Sequence, residues 1–210
     1  MVRVLLLALE FSLIFVGLPL LIYFRILPNL PIQYLIVVGV GTFLFLYFDP
    51  SFRFGRFSWI TLRQHLGPLL LRDALLLAPL GIAVWILAPE LLFSFVKTLP
   101  KLWALVMVFY PLFSVYPQEL LYRAFFFHRY APLFGSGWVM LLASALAFGF
   151  VHIIFGNWLA VGLCVAGGLL FSITYHSSGS LLLTCLDHAI FGNFIFTIGI
   201  GRFFYHGTRF

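Results

Sequence analysis

The residues of this chain that could do chemistry are polar side chains set inside apolar runs. Gln118, Glu119 and Arg123 share one segment, His152 lies in the next, and Asp187, His188 and Asn193 lie in the last. A carboxylate and two histidines in a dry interior are what activation of a water molecule needs. Glu119 and Arg123 are four residues apart, so on a helix they share a face and can pair. The pair has two readings. Either it is a salt bridge that keeps two charges tolerable away from water, or Arg123 holds Glu119 ionised and oriented as a general base. His152, four residues after Phe148, and His188, next to Asp187, each read alone as hydrogen-bonded core. Convergence from separate segments makes them a candidate site.

The segments that must position these groups are membrane helices. Of 210 residues, 63% are hydrophobic and 9% charged, with a mean hydropathy of +1.13. A soluble domain is about half apolar and about a quarter charged. A water-soluble chain of this length has too little polar surface to cover so much apolar material, whereas a bilayer solvates it directly. The net charge of +6 comes from basic residues scattered singly at the edges of apolar runs. That pattern fits membrane orientation and shows no nucleic-acid patch. Cys164 and Cys185 sit in apolar stretches with no metal-type spacing and read as inert core thiols. The phenylalanines (27 of them) read as lipid contact and packing.

Apolar runs long enough to span, about 20 residues, cover Val4–Ile26, Ile32–Phe48, Leu69–Ala88, Leu102–Tyr116, Trp138–Phe155, Trp158–Tyr175 and Leu181–Ile200. Arg3 with the first run resembles a signal peptide, but Glu10 interrupts it and no small-residue cleavage site follows, so the run reads as a retained span. Residues 51–66 mix Phe52, Phe54, Phe57 and Trp59 with Arg53, Arg56 and Arg63. The three arginines fall within about 80° on a helical wheel, and the segment reads as an interfacial helix or cytoplasmic loop. Pro117 is expected to break the chain, with a helix restarting at Gln118 and running to Tyr130. Gly162, Gly167 and Gly168 allow close helix contact. The expectation is an all-α, polytopic bundle of seven or eight membrane helices. It forms one membrane domain over 1–210, with N-terminal spans in 1–117 and the motif-bearing helices in 118–200. Arginine placement predicts a cytoplasmic N-terminus in the cytoplasmic membrane and, with eight crossings, a cytoplasmic tail carrying Arg202, His206 and Arg209. His128 and Arg129 read as interface residues, and His176 as the end of a span.

Gln118-Glu119-Leu120-Leu121-Tyr122-Arg123, then Phe148-x-x-x-His152, then His188 followed by Asn193, resemble the ordered motifs of the CPBP family. These are the CAAX prenyl endopeptidase-like and bacteriocin-processing (Abi) intramembrane proteases, with motifs E-E-x-x-x-R, F-x-x-x-H and H-x-x-x-N on separate helices. The resemblance implies an eight-helix bundle around a wet cavity, and hydrolysis of a peptide bond in a hydrophobic or lipidated substrate. It implies that Glu119 and His152 activate water, Arg123 supports Glu119, and His188 with Asn193 stabilises the oxyanion. Family members have been described both as metalloproteases and as glutamate-dependent enzymes. No His-Glu-x-x-His helix occurs here. Glu119, His152 and His188 could bind zinc, but the expectation is that no cofactor is required.

Two departures from the family pattern bear on activity. Gln118 stands where the family has its first glutamate, and an amide cannot accept a proton as a general base. Asn193 is five residues after His188, where the motif has four, and five residues on a helix lie about 140° apart. Asn193 therefore shares the site only if the helix is distorted, which Gly192 could permit. Thr184, four residues before His188, is an alternative donor. Two other readings stand beside the protease. One is a non-catalytic relative that binds a transmembrane or lipidated partner through a structural polar network. The other is a haem-binding or proton-coupled membrane protein, using His152 and His188 as ligands or the carboxylates as proton carriers.

Overall fold

The computed structural model of the chain describes residues 1–55 and 58–204. Arg56 and Phe57 of the expected interfacial segment, and His206 and Arg209 of the tail, lie outside the described residues. The described residues form a polytopic helical bundle. Six helices are long and apolar enough to cross a bilayer: α1 Val2–Tyr23, α2 Pro31–Phe48, α3 Trp59–Leu87, α4 Pro100–Arg129, α5 Trp138–Phe155 and α6 Trp158–Ser178. A shorter apolar helix, α7 Leu181–Thr197, completes the set.

Pro117 does not break the chain. Its ring displaces the carbonyl of Phe113, four residues back, and the helix absorbs this by widening to π geometry over Pro111–Val115. A second widened segment, Leu120–Phe125, follows directly. The two expected helices are therefore one, and the described residues hold seven apolar helices rather than eight. Pro19 acts similarly in α1, where Leu13–Gly17 is widened. Residues 59–66 are not a separate interfacial helix but the first turns of α3, started by the Ser58 hydroxyl accepting from Thr61 N–H at 3.2 Å.

α1 packs its N-terminal half against the short helix Ala131–Phe134 and its C-terminal turn against the end of α5. The end of α5 also meets the turn Ile200–Phe204. Residues 1–12, 49–55 and 130–137 thus gather at one end of the bundle, and residues 24–31, 88–99 and 198–204 at the other. Basic residues occur at both: Arg3, Arg53 and Arg63 at the first, Arg25, Lys97, Lys101 and Arg202 at the second.

Ion pairs tie the helices where lipid cannot. Glu10 of α1 takes both a 2.6 Å and a 2.9 Å bond from Arg129, and one from the Tyr130 hydroxyl at 3.1 Å. Asp49, past the end of α2, accepts from the Ser51 hydroxyl and lies 3.0 Å from His128 Nε2. The Ser51 bonds, and then His128, hold its carboxyl down to about 2. The stabilisation from this contact is therefore complete above the ordinary carboxylate range and is lost as pH falls toward that value.

α5 is the most enclosed of the long helices, and α5 and α6 pack tightly. A Cβ on Gly149 of α5 would collide with the Val165 side chain and stand 2.9 Å from its backbone nitrogen. One on Gly168 of α6 would lie 3.1 Å from Ala145 Cα. Gly168 performs the expected close approach, Gly162 faces open space, and Gly167 borders only Phe171 of its own helix. Overpacking of such a contact costs about 1–3 kcal/mol. Gly149→Ala is expected to lower the thermal unfolding midpoint in detergent by several degrees, and Gly162→Ala to leave it unchanged.

Candidate functional site

The site is built from the two widened turns of α4, the last turns of α5, and the middle of α7. Glu119 and Arg123 are both fully buried, 0% exposed. Arg123 Nε lies 3.2 Å from Glu119 Oε2, a contact ion pair whose alignment falls short of a hydrogen bond. The rest of the guanidinium is engaged: Nη1 donates to Ser144 Oγ at 3.1 Å and to the Tyr122 carbonyl, and Nη2 to the Gly168 carbonyl at 3.3 Å. Its carbon sits 5.2 Å from the Phe148 ring centre and 5.9 Å from that of Phe171, adding cation–π attraction in a dry setting. Gly168 is thus doubly constrained: the absence of a side chain lets α5 approach, and its carbonyl then reaches Arg123.

The other Glu119 oxygen, Oε1, is 2.7 Å from His188 Nδ1. With Glu119 ionised beside Arg123, that nitrogen is the donor, and the lone pair of His188 is left on Nε2. Nε2 lies 3.0 Å from the Tyr110 hydroxyl, which donates to it. The imidazole is stacked on Phe171 at 4.5 Å and 16°, with the edge of Phe148 at 5.4 Å. Two phenylalanines thus fix both the arginine and the histidine.

His152 is anchored differently. Its Nδ1 is 2.7 Å from the Phe148 carbonyl, which can only accept, so Nδ1 carries the proton. Among the described residues no hydrogen-bond partner is recorded for its Nε2. Its ring lies 5.0 Å from that of Phe148. His152 and His188 both line a cavity of about 820 Å³, as do Gln118 and Tyr110. The cavity is otherwise mostly apolar and reaches Asn29 and Arg202, at the end of the bundle away from the N-terminus. Its size matches that of cavities that enclose sizeable ligands, about 300–1,000 Å³.

The structure therefore brings Glu119, Arg123 and His188 into one chain of contacts and sets His152 in the lining of the same cavity as His188. Glu119 does not line the cavity; Gln118 does, its amide donating to Ser114 Oγ at 2.7 Å. Asn193 does not line it either. Its amide donates to the Met107 carbonyl at 3.3 Å in the α4–α7 contact, as the five-residue spacing implies for an undistorted helix. Gly192 leaves room for the Tyr110 ring and hydroxyl, into which a Cβ would collide. Thr184 is spent on its own helix, donating to the Ser180 carbonyl at 2.9 Å.

Two features escaped sequence reading. Tyr110 carries no local signal, being one tyrosine of nine in an apolar run. The other is a second charged cluster. Arg72 of α3 donates to Asp73 Oδ1 at 2.7 Å, to Asp187 Oδ1 at 2.6 Å and to Thr174 at 3.0 Å, and Thr174 donates to Asp187 Oδ2 at 2.6 Å. It joins α3, α6 and α7 one residue from His188, over a sequence separation that no local pattern spans.

A catalytic zinc takes three protein ligands. Among the described residues no three His, Cys, Asp or Glu side chains gather as a ligand set. Both nitrogens of His188 are engaged, so ligating a metal or haem would cost one of these bonds.

Stranding a buried charge by removing its partner costs about 3–5 kcal/mol. Arg123→Leu is expected to destabilise the protein by that amount, measured as thermal unfolding in detergent. Adding Glu119→Gln to it removes the stranded charge and should restore part of the loss.

Residues 99–194 match the family model described as type II CAAX prenyl endopeptidase Rce1-like. No curated protein and no solved structure matches the chain. The matched stretch carries Glu119, Arg123, His152, His188 and the tyrosine that meets His188, and over these residues the chain is similar to the CPBP, or CAAX prenyl endopeptidase-like, family of membrane proteins.

Proposed function

We propose that this chain is an intramembrane endopeptidase that admits a hydrophobic or lipidated peptide to its cavity and hydrolyses one peptide bond. The similarity of residues 99–194 to a protease family supports peptide hydrolysis at family level. The observation that carries the mechanism is the 2.7 Å bond between buried Glu119 and cavity-facing His188. A carboxylate behind an imidazole fixes its tautomer and stabilises the imidazolium that forms when the other nitrogen takes a proton. Glu119 then works through His188 instead of meeting water itself, and Arg123 keeps it ionised. A water seated between His188 and His152 loses a proton to His188 Nε2, while His152 Nε2 accepts its other hydrogen. The hydroxide adds to the scissile carbonyl carbon and the carbonyl π pair moves onto oxygen. On collapse the C–N bond breaks, and the proton held by His188 goes to the departing amine. The apolar walls suit an acyl, prenyl or transmembrane segment. The host membrane is taken as the cytoplasmic one, with the N-terminus inside on the side of the segment that carries Arg53 and Arg63, although basic residues are as frequent at the other end.

One observation favours a second reading, a relative that binds such a segment without cutting it. Gln118, a residue with no base, faces the cavity where the family pattern has a glutamate. Processing of a farnesylated peptide in membranes holding each variant separates the two. Glu119→Gln, His152→Ala and His188→Ala are expected to fold, by detergent gel filtration, yet lose at least about 10²-fold in cleavage, while Gln118→Ala persists. Absence of any cleavage from the wild type, with binding of the peptide retained and cleavage gained in Gln118→Glu, would establish the second reading.

A further inference from the structure

Resting on the protease reading, we propose that the Tyr110 hydroxyl, and not Asn193, is the side-chain donor that stabilises the oxyanion in this chain. A donor for that task must reach the reacting atoms from a dry wall of the cavity and be held in place before reaction. Asn193 fails the first. It lies off the cavity, its amide nitrogen is taken by the Met107 carbonyl, and Thr197 donates to its own carbonyl at 2.7 Å, binding that stretch into the α4–α7 contact. Tyr110 meets both. It lines the cavity, and its hydroxyl stands 3.0 Å from His188 Nε2. Its ring is held edge-on by Phe196 at 5.3 Å and occupies the space that glycine at 192 leaves on α7. The widened turn Pro111–Val115 begins at the next residue and sets the position from which the side chain leaves α4.

The arrangement works as an exchange. At rest, Tyr110 donates its hydrogen to the Nε2 lone pair that the reaction needs. When substrate and water enter, water takes its place at Nε2, and the Tyr110 O–H turns about its C–O bond toward the carbonyl oxygen. That oxygen gains negative charge as hydroxide adds, and Tyr110 hydrogen-bonds to it without giving up its proton. When the C–N bond breaks, the charge returns into the carbonyl and Tyr110 is free to cap Nε2 again. The glycine at 192 is thus a spatial requirement of the tyrosine, and in this chain it does not serve to bring round the residue that follows it.

The test uses the full chain in proteoliposomes with a farnesylated peptide, alongside ¹⁵N spectra of histidine-labelled protein in which His188→Ala assigns the His188 signals. Tyr110→Phe is expected to lower kcat about 10²–10³-fold with little change in KM. It should also move the His188 Nε2 signal to that of an uncapped imine nitrogen. Asn193→Ala is expected to cost less than about 10-fold and leave that signal in place. Gly192→Ala is expected to reproduce the spectral shift by displacing the ring. Cleavage by Tyr110→Phe at the wild-type rate, or an unmoved Nε2 signal, overturns the role of Tyr110 alone. No cleavage by the wild type removes the protease reading, and the oxyanion role with it, even where the spectral shift is seen.

Discussion

The structure depends on holding one ion pair where water is absent. A lone carboxylate or guanidinium inside a bundle of this composition would be expelled or neutralised, because taking an ion out of water costs several kcal/mol even after relaxation. Glu119 and Arg123 offset that penalty through each other and the partners gathered around them. Arg123 answers the carboxylate, two backbone carbonyls, a serine and two aromatic faces, and Glu119 answers the arginine and a histidine. Those partners come from four helices, so the pair dictates how close α4, α5, α6 and α7 must come. The small residues at the α5–α6 contact follow from it: the Gly168 carbonyl reaches Arg123 only because no side chain keeps α5 away.

The same engagement divides labour between adjacent residues of α4. Position 118 turns to the cavity and position 119 turns inward, so the carboxylate is buried behind the histidine that meets the substrate space. A wet carboxylate would be a stronger competitor for solvent and a weaker orienting group; a dry one polarises the imidazole at full strength. The widened turns of α4 serve this arrangement. They flank Glu119 on both sides, and such turns recur where a helix must aim side chains that regular geometry would not.

Much of this was legible in the chain itself. Long apolar runs marked the helices, the four-residue spacing of Glu119 and Arg123 marked their pairing, and the five-residue step from His188 made a place for Asn193 in the site conditional on a distorted helix. The rest depended on information that local patterns lack. Whether Pro117 ends a helix or only widens it depends on neighbours that hold the two halves in line, and those neighbours are α2 and α7. The partner of Arg72 lies 115 residues away. Tyr110 is an ordinary aromatic until α7 places His188 opposite, and Gly192 reads as a hinge until the ring it accommodates is seen.

The parity of the bundle has its own consequence. Seven is odd, so if every apolar helix crosses, the first and last described residues face different compartments. The cavity reaches Asn29 and Arg202, on the far side from residue 1. On the protease reading, a substrate whose polar end lies beside Asn29 and Arg202 belongs to the compartment opposite the N-terminus, so the direction in which α1 inserts during synthesis sets which pool of peptides the cavity faces.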